Sequence, residues 1–311
     1  MEQMKKKDSI STRFGRHMRK NWIYYVMLAV PMIYFIIYHY WPMYGLLMAF
    51  KDYKIKLGII ESPWVGFEHF IRFFESFRFW DLIRNTLTLS VYALLVGFPI
   101  PIIFALMLHY LKKPRLKKTV QMVSYAPHFI STVVICSMIT IFMTKDSSIF
   151  NVIRGLFGME PVNFLAKESW FKHIYVWSEV WQSCGWDAII YLSALSGVDY
   201  SLHEAAIIDG ATKIQRMRYV DLPSIKPTVV MLLILRVGSM ASIGFEKVFL
   251  LQNDLNMNAA SVISTYVYEV GLIQKDYGYS AAVGLFNTII NVILLLLMNQ
   301  FSKKVLKESL L

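Results

Sequence analysis

The stretch Ser201-Leu202-His203-Glu204-Ala205-Ala206-Ile207-Ile208-Asp209-Gly210-Ala211, continued over 212–222 and reaching Pro223, is the most informative in the chain. Ser201 and Glu204 stand at the spacing of a capping box, in which the hydroxyl accepts a first-turn backbone N–H and the carboxylate accepts the N–H of the cap residue. Gly210 suits the left-handed conformation that closes a helix, because it has no Cβ to clash. A second amphipathic stretch over 212–222 is expected to run as far as Pro223. The pattern is a short helix, a turn and another helix. Taken alone, Ser201, Glu204 and Gly210 suit an ordinary capped connecting helix equally well, so the surroundings decide what this segment connects.

It lies between two long apolar blocks, and the rest of the chain is built of such blocks. Of the 311 residues, 56% are hydrophobic and 17% charged, with a mean hydropathy of +0.45. Soluble chains run at about 45–50% apolar and about 25% charged. An ordinary soluble domain, a disordered chain and a disulfide-rich secreted scaffold are therefore excluded. A crossing of the membrane needs about 20 mostly apolar residues, and six segments meet that need, over 22–50, 86–111, 119–143, 171–195, 228–251 and 281–301. The first is too long for a signal-peptide core and has no small-x-small cleavage site, so it reads as an uncleaved span. Pro31, Pro42, Pro99, Pro101 and Pro127 predict kinks. Membrane helices tolerate these where neighbours re-satisfy the freed backbone groups. Cys136 and Cys184 fall inside apolar blocks and read as small buried hydrophobes.

The chain is nonetheless basic, with 32 Lys and Arg against 21 Asp and Glu. Nucleic-acid binders gather such charge on a soluble face; here it lies between the spans, so no nucleic-acid partner is expected. Residues 1–21, 112–118, 213–226 and the tail after Phe301 hold 19 basic residues, whereas the three alternate loops hold 12 and Arg236 lies within the fifth span. The positive-inside rule then places both termini in the cytoplasm. The run Lys112-Lys113-Pro114-Arg115-Leu116-Lys117-Lys118 is the strongest single marker and is suited to lipid headgroups. Over 67–84, Phe67, Phe70, Ile71, Phe74, Phe77 and Trp80 alternate with charges at helical spacing. That segment reads as an interfacial anchor or as a surface for an extracellular partner. The expected organisation is all-α: a basic N-terminal segment over 1–21, one six-span membrane domain over 22–301 with a loop at 199–227, and a tail over 302–311.

Glu204-Ala205-Ala206, three residues, Gly210, nine residues and then Val220-Asp221-Leu222-Pro223 resembles the signature loop of the membrane subunits of ABC importers. That pattern reads Glu-Ala-Ala, three residues, Gly, nine residues, Ile, one residue, Leu-Pro. Asp209 and Ala211 are common in the carbohydrate branch. Val220 stands where Ile is usual and Met217 where Phe is usual, and both positions stay apolar. The resemblance extends to 64–70, Phe79-Trp80 and Asn85-Thr86. In 38–53, 244–250 and 277–282 it narrows to permeases of complex oligosaccharides or polysaccharides. Gln252-Asn253-Asp254-Leu255 replaces the Gly-Gly-Pro turn of most sugar permeases, which favours that branch.

The resemblance implies a type I importer permease in a bacterial cell membrane. It would work by alternating access with a second homologous permease, two ATPase subunits and an extracellular substrate-binding lipoprotein. Glu204, Ala205, Ala206, Asp209, Gly210 and Ala211, with Leu222 and Pro223, would form the coupling loop that docks on an ATPase and transmits its closure. No Gly-Lys dipeptide occurs, so the phosphate-cradling loop is absent. ATP and Mg would belong to the partner ATPases, and this chain would carry no cofactor of its own.

Charges in mid-membrane are costly and tend to face a bundle interior or a wet cavity. Glu179, Asp187, Arg236 and Glu246 are such residues. Arg236 reads as an interhelical pair or a snorkelling side chain, Glu179 as lying near the outer surface, and Glu246 with Lys247 as the end of the fifth span. Candidates for a substrate path are Trp181, Gln182, Trp186, Asp187, Glu246, Asn287 and Asn291. Interfacial tryptophans and interhelical packing account for several of these as well. No catalytic cluster and no histidine pair at metal-ligand spacing is found, so neither an enzyme nor a metal site is expected. The rival reading is a stand-alone channel or secondary transporter, against which stands the lack of an inverted repeat.

Overall fold

The computed structural model describes residues 19–144 and 148–306. The basic residues Lys5, Lys6, Lys7, Arg13, Arg16, Lys145 and Lys307 lie outside them, so that part of the charge count has no structural counterpart here. The described residues are helical, with no strand and a single isolated β-bridge between Lys51 and Trp64.

The principal helices are α1 (Trp22–Phe35), α2 (Glu68–Glu75), α3 (Phe79–Gly97), α4 (Pro99–His109), α5 (Pro114–Tyr125) and α6 (Thr132–Met143). They continue as α7 (Glu168–Ser196), α8 (Tyr200–Ile208), α9 (Leu222–Gly238), α10 (Phe245–Leu251), α11 (Ile263–Tyr268) and α12 (Tyr277–Phe301). Proline governs several starts: Pro99, Pro114 and Pro223 sit in the first turns of α4, α5 and α9. At Pro114, entered from extended Lys113, the missing N–H would have had no partner in any case, whereas helical backbone runs on through Pro99 and Pro223.

Among the described residues, three helices qualify as crossings by length and apolarity: Trp22–Phe50, Phe79–His109 and Tyr277–Lys304. Two more arise if each bent pair counts as one, α5 with α6 across a 96° bend and the helix ending in α9 with Met240–Leu251 across a 63° bend. The expected third and fifth segments are thus broken rather than straight. The fourth, α7, has 29 residues and is about 43 Å long at 1.5 Å per residue. It is long enough to cross, but Glu179 and Asp187 make it less apolar than the others.

Each break has a cause. Pro127 lies in the 3-10 turn Ala126–Phe129 that ends α5, and Ser131 restarts the chain by accepting the Val134 N–H. Between α9 and α10 the backbone opens around Met240–Ser242. There Ser90 Oγ donates to the Met240 carbonyl at 2.5 Å, and Asn291 Oδ1 accepts the Ala241 N–H at 2.8 Å. Side chains on other helices therefore replace the lost helical bonds, as the membrane interior requires.

Phe171, Val176, Leu251 and Val248 centre one apolar cluster around α7 and α10, and Ala105, Ala188, Tyr191 and Ile225 another between α4, α7 and α9. A third joins the 67–84 segment to the end of the chain through Phe73, Leu82, Tyr266 and Tyr279. Phe67, Phe77 and Trp80 remain exposed while Phe73 is wholly buried. Ion pairs Arg72–Asp276 at 2.7 Å and Arg78–Glu269 at 3.1 Å bracket the contact. The segment is therefore docked on α11 and α12 by one face, with only the other free. No residue of α1 is buried.

Candidate functional site

The loop between α7 and α9 is a helix, turn and helix as expected, but its first cap differs. Asp199, not Ser201, is the N-cap: its carboxylate accepts the Ser201 N–H at 2.9 Å. That hydrogen bond holds the Asp199 carboxyl below its ordinary value. The capping box falls instead on the second piece, where Thr212 accepts from Gln215 N–H and Gln215 Oε1 accepts the Thr212 N–H at 2.7 Å. Gly210 takes φ +76°. The Ala211 N–H reaches back to the Ala206 carbonyl at 2.8 Å and the Gly210 N–H to Ile207 at 3.0 Å, a Schellman closure of α8.

Pro223 does not stop the chain. Helical backbone runs from Lys213–Arg216 through a π turn at Met217–Asp221 into α9. Pro223 can give no N–H there, and the chain passes it through the widened turn, next to which Ser224 Oγ donates to the Val220 carbonyl at 2.7 Å. The second half of the loop is therefore one piece with the helix beyond it.

Glu204, Ala205, Asp209 and Gly210 lie exposed on α8 and its turn, Leu222 and Pro223 are exposed at the head of α9, and Ala206 and Ala211 are half-buried. Around them Ile208 is 85% and Ile214 76% exposed. These apolar side chains were not singled out in the sequence, although a helix with little amphipathic contrast was the available signal. His203 is the one buried residue of α8.

Inside the bundle a polar cavity of about 420 Å³ is lined by Ser90, His128, Glu179, Gln182, Arg236 and Glu246, among others. It opens where the α9–α10 break removes helix. A smaller one of about 260 Å³ shares Arg236 and Ser239 and adds Asp187 and Tyr191. Of the expected path residues, Gln182 and Glu246 line the first cavity and Asp187 the second. Trp181 faces a separate apolar cavity of about 520 Å³ with Ile135, Trp170 and Trp177. Trp186 stacks on His128 with ring centroids 4.5 Å apart, so it supports a lining residue. Asn287 and Asn291 line neither polar cavity. Asn287 is buried, and Asn291 clamps the break, also donating to Ser242 Oγ at 2.7 Å.

Glu179 is paired: Lys247, 3% exposed, donates to its carboxylate at 2.9 Å beside the first cavity. Glu246 and Lys247 both fall in the first turn of α10, just beyond the break. Arg236 stands at the wall common to both cavities, with its guanidinium beside Gly97. A pair 68 residues apart cannot be read from spacing.

Asn291→Leu is expected to strand the Ala241 N–H in an apolar setting and to cost about 1–3 kcal/mol. The check is the thermal unfolding midpoint in lipid nanodiscs, compared with Asn291→Gln and with an Asn258→Leu control, whose side chain is exposed.

Comparison with known proteins agrees with this architecture. Residues 97–307 match the family described as "Binding-protein-dependent transport system inner membrane component". The chain is 42% identical over 294 residues to Protein LplB of Bacillus subtilis (strain 168), covering 94% of this chain and 92% of that protein. It is 42% identical over 286 residues to the polygalacturonan/rhamnogalacturonan transport system permease protein YteP of the same strain, covering 92% and 89%. The crystal structure of a bacterial ABC transporter involved in the import of the acidic polysaccharide alginate contains a chain that superposes with a TM-score of 0.88 at 38% identity, covering 94% of this chain and 99% of that one. A second structure, of the alginate transporter with an alginate pentasaccharide-bound periplasmic protein, gives 0.88 at 37%, covering 96% and 100%. The match takes in the loop, the broken helix and most of the wall of both polar cavities, and the chain belongs to the family of inner-membrane components of binding-protein-dependent transport systems.

Proposed function

We propose that this chain is one permease half of an ATP-driven importer of oligosaccharides or polysaccharide fragments in a bacterial cell membrane. The observation that carries the reading is the 420 Å³ polar cavity set among apolar helices, with hydroxyl, amide and charged groups on its wall. Buried charge of this kind is costly unless it faces a wet path or a partner. The saccharide class follows from the relatives, since YteP is named for polygalacturonan and rhamnogalacturonan and the alginate importer for an acidic polysaccharide.

In this reading residues 22–301 form the membrane domain, with 1–21 and 302–311 in the cytoplasm. The other half of the path comes from a second homologous permease. Two ATPase subunits bind and hydrolyse ATP with Mg, and α8 docks on one of them through Glu204, Ala205, Asp209 and Gly210, with Ile208 and Ile214 beside them. An extracellular lipoprotein delivers the saccharide, an arrangement supported by the neighbour with a bound periplasmic protein. Closure of the ATPase dimer moves the loop, and α9, continuous with the loop, carries the motion to the wall bearing Arg236.

The test is reconstitution of the chain with its second permease, ATPases and lipoprotein in proteoliposomes. Uptake of pectin- or alginate-type oligosaccharides that requires ATP inside and lipoprotein outside is the expected result. Uptake by this chain alone, without ATP, would overturn the proposal in favour of a stand-alone transporter.

A further inference from the structure

Three side chains remote in sequence meet at the root of α8. His109 comes from the end of α4, His203 from α8 and Asp221 from the turn entering α9, and one ligand atom of each lies within 4.8 Å of the others. Asp221 is 0% exposed and His203 6%. His203 Nε2 lies 3.2 Å from Asp221 Oδ1, yet neither atom has a hydrogen-bond partner of acceptable geometry among the described residues. The other carboxylate oxygen is already engaged, because the Tyr110 hydroxyl donates to Oδ2 at 2.7 Å. Tyr110 is itself held under the Arg216 guanidinium, 5.4 Å from its ring centroid. The imidazoles of His109 and His203 are 6.3 Å apart between centroids.

A wholly buried carboxylate needs a compensating charge. Arg216 lies over Tyr110 on one side and His203 at 3.2 Å makes no hydrogen bond of acceptable geometry, and neither gives His109 a part in the arrangement. A cation held by all three uses every available donor.

We propose that His109, His203 and Asp221 bind one divalent transition-metal ion, with Zn2+ the best match to the donor set. Two imidazoles and a carboxylate form a familiar three-ligand set that leaves one position for water. The Tyr110 hydroxyl on the second carboxylate oxygen is the outer-shell contact that orients such a ligand. Tetrahedral Zn2+ places neighbouring donors about 3.3 Å apart. The His203–Asp221 pair already has that separation, and the His109 ring needs to close by about 1.5 Å at most. His109 is half-buried at a helix end, where a side-chain rotation can supply the movement. The ion would pin α8 to α4 and α9 from its buried side, leaving Glu204 and Asp209 free. The binding site stands on these side chains alone; only its effect on turnover rests on the coupling role proposed for α8.

The test uses the full chain in its purified complex, carried on a histidine-free tag and stripped with chelator. Co2+ is titrated as the probe and Zn2+ as its competitor. The expected result is about one equivalent of Co2+ with the intense visible bands of a tetrahedral site, displaced by Zn2+. At least a tenfold loss of affinity is expected in His109→Gln and in His203→Asn, and none in Cys184→Ser. His109→Gln, at a half-buried position, keeps the test decisive if His203→Asn fails to assemble. Absence of the tetrahedral bands in the wild type, or wild-type affinity in His109→Gln, would overturn the proposal. If Zn2+ binds as expected but leaves substrate-stimulated ATP hydrolysis unchanged, the site stands and only its effect on turnover fails.

Discussion

Gly210→Asp and Glu204→Lys are each expected to lower saccharide-stimulated ATP hydrolysis of the reconstituted complex by about tenfold or more, a coupling loss of ~1.4 kcal/mol or greater. The physical case rests on where these residues point. A Cβ at Gly210 meets nothing within 4 Å in this chain, so bulk there costs the isolated permease only backbone strain at φ +76°. Aspartate tolerates the left-handed conformation better than most residues, and the strain is about 1–2 kcal/mol for an ordinary L-residue. The substitution therefore keeps α8 folded while adding bulk and charge to its exposed end. Glu204 is exposed and accepts no capping hydrogen bond of its own, because Asp199 does that work. Reversing its charge should leave unfolding unchanged and alter only docking. Gly210→Asn, isosteric and uncharged, separates charge from bulk. Wild-type stimulation in both Gly210→Asp and Glu204→Lys, with complexes fully assembled, would remove the loop from the coupling machinery.

Gly185→Val is expected to give the largest structural effect. A Cβ at Gly185 would fall on the Ser124 carbonyl, closer than any real contact, and the obstacle is backbone rather than a movable side chain. Helices in a membrane gain attraction from such close backbone approach, so α5 must shift outward from α7 to admit any side chain. Overpacking of this kind costs about 1–3 kcal/mol, and valine should lie at or above the upper end. The same shift would move the Pro127 bend and His128, which lines the polar cavity beside Trp186. Gly185→Val should therefore lower both the unfolding midpoint in nanodiscs and ATP-dependent uptake, with Gly185→Ala intermediate. An unchanged midpoint in both variants would show that α5 and α7 do not pack as described.

Much of the architecture was legible because its causes are local. Apolar length, proline positions and the glycine at 210 each act within a few residues, and each has its counterpart in a helix, a break or a left-handed turn. Capping was legible only in part. Ser201 and Glu204 had the spacing of a box, but the Asp199 carboxylate, two residues earlier, takes the Ser201 N–H that Glu204 would have accepted and starts the helix there. Pro223 was read as a stop because proline disrupts a helix interior. Here the helical backbone passes through it by way of the π turn at Met217–Asp221.

The polar residues of the membrane were readable as a class and not as a site. The ion pair of Glu179 with Lys247 was not legible, because the partner is 68 residues away on another helix. Asn291 was left between packing and path, and the choice depended on the break at Met240–Ser242 that only folding brings to it.

The sequence by itself determined that this chain is an all-α, basic, membrane-embedded protein with a helix-turn-helix loop of the ABC importer type. Hydropathy, charge placement and turn chemistry are short-range properties, and a linear order records them in full. Tertiary structure alone decided which charges share a cavity, which asparagine closes a broken helix, and that His109, His203 and Asp221 meet at one point. Those pairings depend on how helices cross, and crossing is set by packed surfaces such as Gly185 against Ser124, whose two sides lie on different helices.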